Sequence, residues 1–356
     1  MLTILGFETS FDDTAAAVVR NGTEILSNVM ASQVDLFKDF GGVVPEIASR
    51  AHIQMLLPVM HRALSKAELT LGDMDALAVT YGPGLVGSLL VGVSVAKGLS
   101  YALGLSLYAI NHVEAHIYAP LMTNPELEFP HICLSAAGGH TSLYLVKSLG
   151  DYQMLGGTRD DAAGEAFDKV SVAMGKGCPG GRAIEQLAAQ SDQEGPSFPR
   201  PMMKSGDYDF SFSGLKTAVV RYLETPEGRQ SSLEATAAAF QSAAVDLMVS
   251  KTLRAARNSG ARHISLTGGV ACNGYLYEQL KARCERKHLR VFRPPASLCT
   301  DNAAMVAGLA FHKHRLDSPA GLELNADPGL GLGKTNPTLL VDTPRQGSRK
   351  TRPRTP

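Results

Sequence analysis

The chain has no stretch of about 18 or more uncharged apolar residues, which removes the simplest kind of membrane-spanning helix and any expectation of a membrane partner. Met1–Glu8 has no basic run ahead of an apolar one and passes straight into a strand pattern, so neither a signal nor a transit peptide is expected. The five cysteines (Cys133, Cys178, Cys272, Cys284 and Cys299) are an odd number with no C-x-x-C pair. That argues against a disulfide frame or a zinc ribbon and fits reduced thiols in the cytoplasm. Net charge is also missing, but only as a sum. The last twelve residues, from Arg345, carry five basic side chains and no acid, leaving the rest of the chain at −5. A Pro/Arg/Thr-rich end without apolar periodicity is expected to be disordered over 337–356. Such a tail either solubilises the protein or adds attraction for a polyanion.

What is present is a globular chain of 356 residues, 44% hydrophobic and 19% charged, long enough for two lobes. Asn111-His112-Val113-Glu114-Ala115-His116 places two histidines four residues apart, on one helix face if the segment is helical. That spacing suits a shared divalent metal, and it equally suits two core or surface imidazoles. It is not the protease pattern H-E-x-x-H. Glu114 lies two residues after His112, roughly 200° around the helix, out of reach of a water on the metal.

Strand and helix patterns alternate along the chain. Leu2–Glu8 and Ala15–Val19 flank a polar turn, Thr9–Thr14, as a hairpin. Ile47–Lys66 has helical spacing, Ala76–Thr80 reads as a buried strand, Leu89–Leu103 as a small-residue helix, and Leu107–Ile110 as a strand leading into the histidine helix. The pattern then restarts. His131–Ser135 and Ser142–Val146 flank the turn Ala136–Thr141, and Ile264–Thr267 ends at Gly268-Gly269 before a helix from about Tyr275. Two hairpin-led α/β halves indicate a duplication with a cleft between the lobes, residues 1–130 and 131–336. The Gly/Pro-containing stretch 156–217 reads as an insertion carrying function rather than sheet. Gly138-Gly139 and Gly268-Gly269 let backbone N–H groups approach an anion, although neither turn fits a dinucleotide or P-loop pattern. These two turns, plus the polar tip of the first hairpin in the other half, point to a nucleotide held between lobes. That is the arrangement of the actin, sugar kinase and Hsp70 ATPase (ASKHA) fold.

These residues together resemble the TsaD family of tRNA threonylcarbamoyladenosine transferases, once described as sialoglycoprotein endopeptidases. Glu8–Thr14 is similar to the family's ETSCDET, Gly82–Leu89 to GPGL-x-GSL, and Asn111–His116 to NH-x-E-x-H. Ala137–Thr141 is similar to SGGHT, Glu165–Lys169 to GEAFDK, and Cys299–Met305 to C-TDNAAM. Pro179–Gly181, Phe210–Thr217 and Gly268–Asn273 complete an ordered series from about Leu2 to Thr335. Phe11 stands where the family usually has Cys, Ala137 where it has Ser, Arg182 where bacterial members often have Pro, and Cys272 where Ala is usual. Ala137 removes a hydroxyl that would bond a nucleotide, whereas the backbone of Gly138-Gly139 is unaffected.

The resemblance implies a divalent metal, iron(II) first and zinc second, on His112, His116 and Asp301. It implies substrate contacts from Ser135, Ala136, Ala137, Gly138, Gly139, Asp168, Gly181, Glu185 and Asn273. Without it, Asp168 reads as a helix cap or surface carboxylate, and Asn273 as a helix N-terminal residue satisfying local amides. Asp12 is the candidate for proton management or for positioning the end of the acceptor tRNA. The implied reaction moves threonylcarbamoyl from its adenylate to N6 of adenosine 37 in tRNAs reading ANN codons, with ATP or ADP as further nucleotide ligands. The implied partners are tRNA, a TsaB-like paralogue and a TsaE-like ATPase. Two other classes remain to be separated from this one: a metalloprotease, and a non-catalytic nucleotide-binding partner of the same superfold.

Overall fold

The computed structural model describes residues 1–37, 43–316 and 319–332; the basic tail 337–356 lies outside them. The strands are β1 (Thr3–Glu8), β2 (Asp13–Arg20), β3 (Glu24–Ser32), β4 (Ala76–Gly82) and β5 (Ser106–Asn111), then β6 (His131–Ala136), β7 (Thr141–Ser148), β8 (Asp151–Gly157), β9 (His263–Thr267) and β10 (Arg290–Phe292). The helices of the first half are α1 (Val34–Phe37), α2 (Pro45–Lys66), α3 (Val86–Leu103) and α4 (His112–Thr123). In the second half come α5 (Ala163–Ala173), α6 (Gly180–Ala188), α7 (Ser213–Glu224), α8 (Pro226–Gln230), α9 (Leu233–Ser259), α10 (Gly274–Glu285), α11 (Ala296–Cys299) and α12 (Ala303–Leu316).

The duplication is visible in the strand order. One sheet runs β3-β2-β1-β4-β5 and the other, read from its far edge, β8-β7-β6-β9-β10. In each, the first three strands are antiparallel neighbours and the last two join parallel. This is the two-lobed ASKHA architecture. Both hairpins form; β1 starts one residue after the apolar pattern does, whereas β2, β6 and β7 run one to three residues longer than theirs. The stretch 156–217 holds the end of β8, helices α5 and α6, and the start of α7.

Packing of the first sheet explains how the chain's end reaches its beginning. Side chains alternate faces along each strand. Leu5, Phe7, Leu77 and Val79 face α2 and α3, whereas Ile4, Ala15, Ala17, Ala76 and Ala78 face the other way, towards Ala303, Ala304, Ala307 and Ala310 of α12. That second face is built of small residues, so α12 lies close to the sheet. A Cβ on Gly6 would come within 2.8 Å of the Ala303 carbonyl oxygen. The approach brings the residues just before α12, including Asp301, over the end of β1. Helix α4 is buried on nearly every side: Ala115, Tyr118 and Ala119 pack with α12, and Val113 and Ile117 pack against Cys133, Tyr144 and Val146 of the second sheet.

The second sheet carries a buried titrating group at its base. His131 opens β6, is fully buried, and its ring stacks on Phe129 with centroids 5.4 Å apart. Burial pushes its pKa down from 6.5 to about 4. The folded state therefore prefers the neutral ring. Stability from this residue is complete above pH 6.5 and is lost as pH falls towards 4, by about 3 kcal/mol when the ring is fully protonated. His131→Phe, which keeps the stacking, is expected to shallow the loss of melting temperature between pH 6.5 and 4. Parallel acid profiles for the two proteins would reject this assignment.

Candidate metal centre and nucleotide cleft

Strand β5 passes into α4 without a loop. Asn111 closes the strand and caps the helix, its side chain accepting from the N–H groups of Val113 (2.9 Å) and Glu114 (3.2 Å). The cap starts the helix at His112, so His116 follows one turn later on the same face. Their rings stand 4.6 Å apart and nearly perpendicular. Asp301 completes the group, with one carboxylate oxygen 3.0 Å from His116 Nε2 and 3.6 Å from His112 Nε2. Asn302 then caps α12 by accepting from the Met305 N–H, which fixes the turn that presents Asp301.

Glu8 holds the arrangement from behind, and the motif reading gave it no role. Its side chain is fully buried at the end of β1. One oxygen lies 3.1 Å from His112 Nδ1 and accepts from the Thr80 hydroxyl at 2.6 Å; the other accepts from the Ser10 N–H at 2.6 Å. A carboxylate on Nδ1 fixes the tautomer that leaves Nε2 free for a metal. Burial opposes charge on Glu8, yet His112 beside it holds its pKa below the usual carboxylate range. Burial likewise opposes charge on His112, but Asp301 and Glu8 outweigh it and hold that imidazole up at about 9. Burial pushes His116 down, and Asp301 is held well below its ordinary range against burial by the two imidazoles.

The donor set fits a divalent cation. Two imidazole nitrogens and a carboxylate oxygen converge, all within 4.8 Å of one another, as expected of ligands sharing one ion at bonds of about 2.0–2.2 Å. Glu114 takes no part. It accepts from the Tyr152 hydroxyl at 3.1 Å and pairs with Lys313 at 3.2 Å, on the far side of α4. The general base that a protease of this type needs is absent from its place. A third imidazole, His140, had no signal in the spacing. Its ring centroid is 6.0 Å from that of His116, its Nε2 is 2.9 Å from the Ser135 hydroxyl, and burial holds it neutral, down at about 3.

Around this centre the two hairpin tips and several helix starts meet. The Ala137–His140 turn is closed by the Ala137 N–H on the His140 carbonyl, 2.8 Å, and the Phe11 ring of the first tip lies against Gly139. Ser135 and Ala136 are buried at the end of β6, while Gly138 and Gly139 are exposed. Three of the other sequence-derived residues organise helix N-termini. Asp168 accepts from the Gly180 N–H at the start of α6, Glu185 from the Gly274 N–H at the start of α10 (2.6 Å), and Asn273 caps α10 through the Leu276 N–H while donating to Gln241. Gly181, also at the start of α6, has open space beside it. Helix starts and the bare Gly138-Gly139 backbone present N–H groups suited to phosphate oxygens. Asp12 lies at the first tip, and burial and the charge of Asp301 push its pKa up.

The sequence profile described as "tRNA N6-adenosine threonylcarbamoyltransferase" (TsaD) matches residues 24–308. A protein of that name from Symbiobacterium thermophilum is 50% identical over 331 residues, covering 93% of this chain and 97% of the relative. One from Clostridium botulinum is 46% identical over 335 residues, covering 94% and 98%. Among solved structures, component A of (R)-2-hydroxyglutaryl-CoA dehydratase from Acidaminococcus fermentans superimposes with a TM-score of 0.56 at 15% identity, covering 88% of this chain and 100% of that one. Full-length HypF in its phosphate- and nucleotide-bound form gives 0.57 at 14% identity, covering 88% and 55%. These two carry the fold alone. With the profile and both relatives spanning most of its length, the chain belongs to the TsaD family, the tRNA N6-adenosine threonylcarbamoyltransferases.

Proposed function

We propose that this protein transfers the threonylcarbamoyl group of threonylcarbamoyl-AMP to N6 of adenosine 37 in tRNAs that read ANN codons. The observation that carries this reading is the convergence of the buried His112 and His116 with the partly exposed Asp301, beside glycine turns and helix starts. In the reaction a C–N bond forms between N6 and the carbamoyl carbon, the bond from that carbon to the phosphate oxygen breaks, AMP departs and N6 loses a proton. The N6 lone pair is delocalised into the purine, so the step depends on an activated acyl donor, placement and charge stabilisation.

The Gly138-Gly139 turn and the starts of α6 and α10 hold the nucleotide. Ser135, Ala136 and Ala137 shape that turn, with Ala137 contributing backbone only. Asp168, Glu185 and Asn273 keep the helix starts in place and change partners when substrate offers hydroxyl or amide groups. Iron(II), with zinc as the second choice, bound by His112, His116 and Asp301 would offset negative charge on phosphate and carbonyl oxygens. Asp12 takes the N6 proton. Its burial beside Asp301 makes it a stronger proton acceptor than an ordinary aspartate.

The metalloprotease reading is left without its base, and a non-catalytic binding partner would have no use for three converging metal donors. For a TsaB-like paralogue, the fitting surface is the outer face of α2 and α3, where Ile53, Leu57, Val86, Leu90 and Tyr101 are exposed. Helix α3 is apolar and long enough to cross a membrane, but its Val93 and Ala96 face packs on the first sheet. A TsaE-like ATPase and a cytoplasmic location complete the proposal.

The test is nucleoside mass spectrometry of tRNA after incubation with this protein, its partners, metal and threonylcarbamoyl-adenylate. Unmodified adenosine 37 under those conditions would sink the reading. In the same assay Asp12→Ala is expected to slow transfer by about 10²-fold or more with metal content and folding unchanged. Full activity in that variant would remove Asp12 from the chemistry.

A further inference from the structure

Residues 251–293 hold ten lysines and arginines against two acids, Glu278 and Glu285, in a chain whose net charge is zero. Part of that charge is consumed internally. Lys251 is buried and bonded to Ser205, Arg283 pairs with Asp246, and Arg290 pairs with Glu126. Arg254 and Arg293 are half-buried and donate to the Ser205 and Ala271 carbonyls. Exposed side chains converge from separate elements: Arg257 at the end of α9, Arg262 at the entry to β9, Lys287 and His288 after α10. None of Arg257, Arg262 and Lys287 has an ion-pair partner among the described residues. They surround two adjoining concavities at the base of the second sheet. One, of about 460 Å³, is lined by Phe129, Arg262, His263, His288 and Arg290, with Glu128 as its single acid. The other, of about 390 Å³, shares Gly260, Arg262 and His288 and adds Arg257 and Lys287.

Two plain explanations fall short of this arrangement. Cations in the last turns of α9 and α10 would complement the helix dipoles, but that effect fades within a turn. Arg262 and Arg290 sit in a connection and a strand instead. A short charged edge strand discourages sheet-to-sheet pairing, and Arg290 alone would satisfy that need. Neither explains cations on four elements sharing one hollow.

We infer that this hollow is a docking surface for the phosphate backbone of the RNA substrate, at a position remote from the reacting base. The inference rests on the tRNA reading above. Strand β9 enters at the hollow and leaves at the Gly268-Gly269 turn of the cleft, so the two lie roughly 16 Å apart at about 3.3 Å per residue. A nucleotide in the cleft cannot reach the hollow itself. A structured polyanion extending beyond its modified loop can, and its backbone presents charges every few ångströms for the arginines to neutralise.

The experiment compares wild type with an Arg257→Ala/Arg262→Ala/Lys287→Ala variant, using full-length unmodified tRNA transcript and an isolated anticodon stem-loop, in the presence of the partner proteins. The substitutions are exposed and should leave stability within about 0.5 kcal/mol. Affinity for the full transcript is expected to drop about tenfold or more, and the slope of log affinity against log salt to shrink by about 2 to 3, near 0.9 per lost phosphate contact. Stem-loop modification should keep its rate. An unchanged salt slope overturns the inference, as does an unchanged tRNA affinity accompanied by loss of a protein partner. If wild type binds tRNA through this surface but never modifies it, the docking surface stands and the transferase reading fails.

Discussion

Asp301→Ala is expected to empty the metal centre and to lower threonylcarbamoyl transfer by about 10³-fold or more. Asp301 is the single carboxylate of the cluster and the group that approaches both imidazoles, at 3.0 and 3.6 Å. Without it, the two imidazoles are all that is left of the donor set, and a divalent cation loses the anionic member of that set. Glu8→Gln makes the graded comparison. It keeps the size of the side chain that faces His112 Nδ1 but weakens its hold on the ring, so metal affinity is expected to fall by about 10–100-fold. Excess metal should then restore Glu8→Gln and leave Asp301→Ala inactive. Elemental analysis of the purified variants reads occupancy, and tRNA nucleoside analysis reads transfer. Stoichiometric metal in Asp301→Ala would remove Asp301 from the ligand set, whatever its activity. Asp301→Asn, similar in shape, guards against misfolding as the cause, since it should fold like wild type and still lose metal.

How much of this was legible before the fold depended on how locally each feature is written. The hairpins β1–β2 and β6–β7 are readable because short apolar runs flank polar turns. The i,i+4 pair His112 and His116 is readable because one helical turn brings them together, and the same geometry turns Glu114 away from them, towards Tyr152 and Lys313. Glu8 is not readable in this way. Its role depends on contact with His112, 104 positions away, and nothing in its own neighbourhood marks it as a partner for an imidazole. Asp301 was accessible only through motif resemblance, since what places it there is the small-residue face of the first sheet admitting α12. Strands β3, β8 and β10 escaped for a different reason. Edge strands face solvent on one side and often end in short or glycine-rich pairing, so β8 (DYQMLGG) and the three-residue β10 carry little periodicity. The basic hollow was equally hidden, because its cations are spread over four elements and diluted by acids elsewhere.

Gly268→Ala is expected to destabilise the protein by about 3 kcal/mol or more and to abolish nucleotide binding. Two separate effects act at this residue. Its backbone sits at φ 87° and ψ 163°, a region essentially reserved for glycine, where a side chain costs about 1–3 kcal/mol. The added Cβ would also lie 2.3 Å from the Ala136 carbonyl oxygen and 2.7 Å from its carbon. Those are backbone atoms, at the point where β6 turns into the Gly138-Gly139 loop, so no rotamer change can relieve the overlap. The turns that follow the neighbouring strands β6 and β9 must therefore move apart. Gly139 and Gly181 supply the contrast. A Cβ at Gly139 would meet only the rim of the Phe11 ring at 3.7 Å, and one at Gly181 would meet nothing within 4 Å. Gly139→Ala and Gly181→Ala should therefore unfold in urea within about 1 kcal/mol of wild type while binding AMP more weakly, because the methyl occupies ground the ligand needs. Equal loss of stability in all three variants would mean that these glycines serve the fold alone. Wild-type AMP affinity in Gly139→Ala and Gly181→Ala would mean that the nucleotide lies elsewhere.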